Sequence, residues 1–309
     1  MTLILSIMAT LCLGFYAAPL CRRFGLMDEP DDRKQHGAAT PMVGGLALIL
    51  VILPLFVALS LLVAPVAWRE TILVATGATA AMTLLGLADD RHTLAARDRL
   101  VLSLLIFVSA ALLDNSFTVR LLSFEHPALE LGLGTTWFSA IFTMICGVGL
   151  VNAVNMADGK NGLVIGLLIG WMALLALRAP EPLLPLLFVM ISVLTILFLF
   201  NMKGKLFLGD GGAYGFACLA ALLTIATYNH AGIHAKRAIS ADEIMLLFLV
   251  PVLDSFRLTV TRMRRGLSPM AADRNHLHDI IEARLGWGVG LWLYLAVALA
   301  PAALVFVLV

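Results

Sequence analysis

The sequence predicts an all-α polytopic integral membrane protein, with about ten transmembrane helices in one domain over residues 1–309. Three observations carry that expectation. The 309-residue chain is 61% hydrophobic and only 13% charged, with a mean hydropathy of +0.97. Soluble domains hold roughly 45–50% apolar and about 25% charged residues, so the excess is too large for a soluble core. Apolar runs recur at lengths near the ~20 residues needed to cross a bilayer. Basic residues also alternate in density from one connecting loop to the next, as they do when successive loops lie on opposite sides of a membrane. The net charge of +1 says nothing about partners.

From the N-terminus, the candidate spans lie near 2–20, 42–63, 71–88, 96–113, 135–154, 162–178, 183–200, 211–228, 241–261 and 288–309. The fourth has a short apolar core, Leu100 to Leu113, and spans if Arg97 and Arg99 snorkel to the interface. The ninth is apolar only from Ile244 to Leu253, which brings Asp254 and Arg257 into the helix or to its edge. Ten spans put both termini on one side. The loops after odd-numbered spans then hold sixteen of the 21 Lys and Arg, leaving Arg69, Arg120, Arg178, Lys236 and Arg237 for the other side. The positive-inside rule makes the rich loops cytoplasmic and both termini external. The first apolar run has no Lys or Arg before it and Arg22-Arg23 after it, unlike a secretory signal. In the outer loop 114–134, SFTVRLLSF and LELGLG alternate weakly, as a small hairpin would. Cys12, Cys21, Cys146 and Cys218 lack CxxC spacing and sit mostly in apolar runs, which points to buried free thiols.

The unusual polar residues concentrate in five stretches on the expected cytoplasmic side. Residues 28–45 offer Lys34 and His36 to an anion and enter the second span through Thr40-Pro41 and Gly44-Gly45. Alone, that stretch reads better as a solvated loop. Asp89 and Asp90 lie at a helix end, where adjacent side chains can reach one centre. An acidic pair is a poor anchor for an anionic leaflet, so a divalent metal or a base role beside a phosphate explains it better. In NAVNMADGKNG, Asn152 and Asn155 share a helix face, and Asp158-Gly159 and Asn161-Gly162 signal turns. Those four polar side chains suit a hydrogen-bonded ligand. Asp210 stands where it would cap the eighth span, with Gly211 and Gly212 leaving helical N–H groups open to a phosphate.

The fifth stretch, Asp254 to Arg284, holds six Arg, four acids and two His. Asp254 and Arg257 share a helix face, and an ionisable residue inside a span is a functional candidate by default. Arg274, His276 and His278 alternate, a pattern suited to a metal or a diphosphate. Arg262, Arg264 and Arg265 read as positive-inside anchors. Together the stretches supply acids for Mg²⁺, cations for phosphate and amides for a polar ligand. That set suits metal-assisted phosphoryl transfer between a cytosolic nucleotide and a membrane lipid.

Five motifs, in order, resemble the polyprenyl-phosphate N-acetylhexosamine-1-phosphate transferases. They are Thr40-Pro41 with Gly44-Gly45; LADDR with Leu94 and Arg97; NAVNMADG through Asn161-Gly162-Leu163; LFLGDGG; and PVLDSFR…GLSPMAADRNHLH. The SP…DRNHLH form is more similar to the WecA/TagO branch than to MraY. The resemblance implies transfer of a HexNAc-1-phosphate, N-acetylglucosamine-1-phosphate first among them, from a UDP-sugar to undecaprenyl phosphate, with release of UMP. It implies Mg²⁺, with Mn²⁺ as a substitute, held by Asp210 with Asn155 nearby. Asp89 and Asp90 would serve the lipid phosphate or the metal. Asp158 and Phe207 would bind the nucleotide, Phe207 as a stacking surface for uracil, and Arg274, His276 and His278 would hold the diphosphate and sugar. A bacterial cytoplasmic membrane with the site on its inner face, initiation of a lipid-linked glycan, and no nucleic-acid partner follow from the same resemblance. The sequence leaves a homodimer open.

The chain departs from the family pattern at three positions. Asp279 stands where many relatives have a last histidine, Asn161 where many have Asp, and Ala213 where Ser is usual. The Asp279 change falls on the sugar-facing loop and bears on which sugar is used. Two other readings compete with this one. One is the same chemistry with a deoxy-HexNAc or the muramyl-pentapeptide. The other is a transporter or flippase, which should carry its polar groups at the bilayer midplane in repeated halves.

Overall fold

The computed structural model describes residues 1–29, 39–125, 128–230, 238–268 and 275–308. The chain begins with α1 (Thr2–Phe15) and α2 (Ala17–Phe24), then the short strands β1 (Met27–Asp28) and β2 (Thr40–Pro41). Helix α3 (Gly44–Ala47) passes through a π turn, Leu48–Ile52, into α4 (Leu53–Leu62). Next come α5 (Val66–His92), α6 (Ala96–Leu113), β3 (Leu121–Phe124), β4 (Leu129–Gly132), α7 (Thr136–Ala157), α8 (Leu163–Ala176) and α9 (Leu184–Asn201). The chain closes with α10 (Gly209–Asn229), α11 (Ala241–Arg264), α12 (Leu277–Leu285) and α13 (Trp287–Leu308). This is an all-α polytopic membrane protein. Seven helices among the described residues are long and apolar enough to cross a membrane, and eight if α1 and α2 form one bent span.

A helix stands at each of the ten expected spans, with three differences. The first expected span is broken at Tyr16, where α1 and α2 diverge by 72°. Helix α6 carries Arg97, Asp98 and Arg99 in its first turn, too many charges for an unbroken apolar span. Helix α8 has 14 residues, about 21 Å of rise, against a hydrocarbon core of about 30 Å. The hairpin expected in 114–134 forms, with β3 and β4 antiparallel and Leu121 opposite Gly132. The four cysteines are free, but only Cys21 and Cys218 are buried; Cys12 and Cys146 are exposed on apolar helices.

Helix α10 is the centre of the bundle. It packs against α5, α7, α3 and α8 and is buried along nearly its whole length. Small residues permit this. A Cβ on Gly212 would lie 2.7 Å from the Cα of Gly44, and a Cβ on Gly86 would lie 2.6 Å from the Cα of Gly211. Where side chains would keep two helices 8–10 Å apart, glycines let the backbones touch. The consequence is positional: the N-terminus of α10 is wedged between the start of α3 and the last turns of α5.

Candidate active site

The wedge brings the first four polar stretches to one end of the bundle. The loop before α3 pairs with the segment before α10. Phe207 N–H donates to the Pro41 carbonyl at 2.9 Å, Val43 N–H to the Phe207 carbonyl at 2.9 Å, and Gly44 N–H to the Leu208 carbonyl at 3.0 Å. This short parallel bridge fixes Phe207, half-buried, beside the start of α10.

Asp90 does what Asp210 was expected to do. Its Oδ1 accepts the N–H of Asp210 at 2.8 Å and its Oδ2 accepts that of Gly211 at 2.9 Å. The cap of α10 therefore comes from another helix, where the dipole of α10 favours its negative charge. This corrects two expectations. Asp210 lies inside the first turn and does not cap it, and the Gly211 N–H is taken rather than open to a phosphate. The Asp210 carboxylate is thereby turned toward α7, where it accepts Asn155 Nδ2–H at 2.6 Å.

Asp89 has a different surrounding. It is buried, accepts Arg99 Nη1–H at 2.6 Å and Leu94 N–H at 2.7 Å, and so ties the turn after α5 to α6. Thr93 in that turn has φ +49°, a left-handed conformation unusual for a β-branched residue, which these bonds hold in place. The carboxyls of Asp89 and Asp90 both act on that of Asp210. Asp158 caps the end of α7 just outside the span. Burial first, then the charges of Asp210 and Asp90, pushes Asp158 up to about 8.

The other amides are more committed than expected. Asn152 Nδ2–H donates to the Val148 carbonyl of its own helix at 2.9 Å. Asn161 lies in the α7–α8 turn, where its carbonyl accepts Trp287 Nε1–H at 2.9 Å. Asn201 holds that turn from below. Its Oδ1 accepts Gly162 N–H at 2.6 Å and its Nδ2–H donates to the Leu206 carbonyl at 2.8 Å. Sequence reasoning passed over Asn201, although a buried amide ending an apolar helix was a readable signal. Trp287 and the Lys160–Glu282 ion pair had no such signal, since each joins elements distant in the chain; Arg99, ten residues from Asp89, reads from sequence as a snorkelling charge instead of a partner for it.

The fifth stretch forms a second half of the site. Asp254 is buried in α11 and accepts the N–H of Leu277 at 3.1 Å, while its Oδ2 lies 3.0 Å from His276 Nδ1. Arg257 clamps the same carboxylate at 2.7 Å and donates to the Asn275 carbonyl. Asp254 and Arg257 therefore anchor the segment that presents His276 and His278. Burial, with repulsion from His276, takes His278 down to about 4, against the raising effect of Asp279. His278 packs on Gly159, which joins this half to the acidic half. Asp279 turns to the backbone rather than outward: its carboxylate accepts His276 N–H at 3.2 Å in the capping box of α12. Arg262, expected as a membrane anchor, is 4% exposed and belongs to the interior; Arg264 and Arg265 are exposed. Lys34, His36 and Arg274 lie outside the described residues.

Residues 72–228, half of the chain and including Asp89, Asp90, Asn155, Asp158 and Asp210, match the model of glycosyl transferase family 4. The chain belongs to glycosyl transferase family 4. It is 27% identical over 278 residues to an undecaprenyl-phosphate α-N-acetylglucosaminyl 1-phosphate transferase of Yersinia pestis, covering 86% of this chain and 72% of that one. It is 26% identical over 290 residues to a probable undecaprenyl-phosphate N-acetylglucosaminyl 1-phosphate transferase of Bacillus subtilis (strain 168), covering 91% and 76%. A third family member of the first name, from Escherichia coli (strain K12), is 24% identical over 285 residues, covering 86% and 72%. Phosphosugar transfer, the activity in these names, fits a membrane protein whose acids and amides converge at helix ends.

Proposed function

We propose that this chain transfers N-acetylglucosamine 1-phosphate from UDP-N-acetylglucosamine to undecaprenyl phosphate, starting a lipid-linked glycan. The observation that carries the reading is the meeting of Asp90, Asn155 and Asp210 from three helices at the N-terminus of α10. The relatives' names support the sugar and the lipid. In the reaction, an oxygen of the lipid phosphate attacks the sugar-bearing phosphorus of the UDP-sugar. A new P–O–P link forms, the bond to the other phosphate breaks, and UMP leaves with the bridging oxygen.

The acceptor is a phosphate monoester, already ionised near neutral pH, so no strong base is needed. We therefore assign Asp90 to holding Asp210 in place rather than to removing a proton. Asp158 and Phe207 are assigned to the nucleotide. His276 and His278, brought over the α7–α8 turn, serve the sugar end together with Arg274; Lys34 and His36 remain candidates for phosphate.

Asp210 and Asn155 fit Mg²⁺, with Mn²⁺ as a substitute. The donors are hard oxygens, and Arg99, paired with Asp89, is the cation that also acts on Asp210. Among the described residues no group of three or more His, Cys, Asp or Glu side chains is arranged to hold a metal. Mg²⁺ commonly takes one or two carboxylates and fills its shell with phosphates and water, so such a site suits it. When bound, the ion would neutralise charge developing on the diphosphate.

We further propose ten spans, counting the bent α1–α2 pair, the short α8 and α6 with Arg97 and Arg99 snorkelling to the interface, with both termini outside and a site on the inner face of a bacterial cytoplasmic membrane. The uneven distribution of Lys and Arg supports this orientation. The test is direct. Purified protein is incubated with Mg²⁺, undecaprenyl phosphate and a panel of UDP-sugars, and UMP release is followed. UDP-N-acetylglucosamine should be turned over fastest; no UMP from any sugar would sink the reading.

A further inference from the structure

The start of α12 places Asp279, which has no part in the reaction above, beside the two histidines assigned to the sugar end. His276 and His278 lie face to face, with ring centroids 5.1 Å apart and planes within 9°. Imidazoles stacked so closely disfavour two positive charges, so the carboxylate beside each ring bears on how the stack is held. His276 has Asp254, 3.0 Å from its Nδ1. His278 has Asp279, whose Oδ1 lies 3.6 Å from its Nε2. That separation is too long for a hydrogen bond and short enough for a direct electrostatic hold.

Asp279 cannot drift away from this position. Its other oxygen accepts the backbone N–H of His276 at 3.2 Å, at the third position of the α12 capping box. His278 is equally confined. It is 3% exposed, and a Cβ on Gly159 would lie 3.0 Å from its Nε2. Its Nδ1 is buried with no hydrogen-bond partner among the described residues.

We propose that Asp279 is a positioning residue: it keeps the proton of His278 on Nε2 and holds the ring in the stack, leaving Nδ1 as a bare acceptor. A bare imidazole nitrogen suits an O–H or N–H of the sugar and not a phosphate oxygen. The kinetic part of this inference rests on the transferase reading; the proton placement does not.

The experiment uses the full chain, labelled with ¹⁵N-histidine, as wild type, Asp279→Asn and Asp279→Ala, with His278→Gln to assign the signal. Asn keeps an oxygen for the His276 N–H and removes the charge facing His278; Ala removes both. Wild type should show His278 protonated on Nε2 at neutral pH. Asp279→Asn should move His278 toward the Nδ1–H form at an unchanged melting temperature. Its KM for UDP-N-acetylglucosamine should rise about fivefold, the size of one lost hydrogen bond, with kcat and the KM for undecaprenyl phosphate unchanged. Asp279→Ala should add a lower melting temperature. A wild-type His278 spectrum in Asp279→Asn overturns the proposal, as does a changed spectrum with a wild-type KM for the sugar nucleotide. Absence of UMP release from wild type would count against the transferase reading alone, while the spectra still decide the role of Asp279.

Discussion

Gly86→Ala places a methyl group where the protein has backbone. A Cβ at Gly86 lies 2.6 Å from the Cα of Gly211 and from the carbonyl carbon of Asp210, and closer still to the Asp210 carbonyl oxygen. Ordinary carbon contacts begin near 3.4 Å, so α5 and α10 must part by roughly 1 Å. No flexible side chain can absorb the clash, because both opposing groups are main chain. Overpacking of this kind costs about 1–3 kcal/mol. The larger effect is on chemistry. The displaced turn carries Asp210 away from Asp90 and Asn155, and a misplacement of about 1 Å can cost about 100-fold in rate. UMP release by the purified variant should fall by about that factor. Gly77→Ala on the same helix is the control. Nothing lies within 4 Å of a Cβ there, so the change should be neutral or stabilising by up to about 1 kcal/mol. Turnover of Gly86→Ala within twofold of wild type would refute the claim that backbone contact at this wedge sets the position of Asp210.

Asp210→Asn should abolish UMP release while leaving the melting temperature unchanged or higher, because it removes one of several crowded carboxylates; near wild-type turnover would take Asp210 out of the site. Asp254→Ala removes the acceptor for Leu277 N–H and the partner of His276 and Arg257, so it should destabilise by about 2–4 kcal/mol. Amide hydrogen exchange at Leu277 should accelerate with it, and an unchanged rate would show that Asp254 does not hold this segment. For pH, the folded state raises Asp158 to about 8 from an unfolded value of about 3.9, so its contribution is full below about 4 and is lost as pH rises to about 8. His278, lowered to about 4 from about 6.5, acts oppositely and only below about 6.5, losing stability as pH falls. Between about pH 6.5 and 8, metal-free protein should therefore melt lower as pH rises, and Asp158→Asn should flatten that slope; an unaltered slope in the variant would place the cause elsewhere.

The length of the apolar runs made the helices legible, and the clustering of acids and amides at their ends pointed to the candidate site. Local patterns were enough for both. What they could not assign was the partner of each group. Asp210 looked like its own helix cap because Asp-Gly-Gly at a helix start is what a cap looks like; the carboxylate that fills that role lies 120 residues away in sequence. Arg262 looked like an interfacial anchor because it stands among Arg264 and Arg265, yet the helix turns it inward. Asp279 looked like a lost histidine, and only the turn of α12 shows that its carboxylate has a backbone task. Each misreading concerns a polar residue whose role is set by what packs against it, and a one-dimensional pattern carries least about that.

The two halves of the candidate site meet in one place, and that bears on how it would work. Asp89, Asp90, Asn155 and Asp210 are set by α5, α7 and α10, whereas His276 and His278 are set by α11 and α12. Between them lies the five-residue turn from Asp158 to Gly162. It touches the histidine half through Gly159 against His278, through Lys160 paired with Glu282, and through the Asn161 carbonyl on Trp287. It touches the acidic half through Asp158, whose proton affinity depends on Asp210 and Asp90, and through Asn201, which also holds the segment leading to Phe207. On the function proposed above, a cation arriving at the acids would offset the charges of Asp210 and Asp90 that raise Asp158, and so would alter the charge at one end of this turn. The same turn bears on His278 at its next residue. On the function proposed above, a metal at Asp210 and the histidines assigned to the sugar would be joined through these five residues of backbone, since no side chain among the described residues is common to both halves.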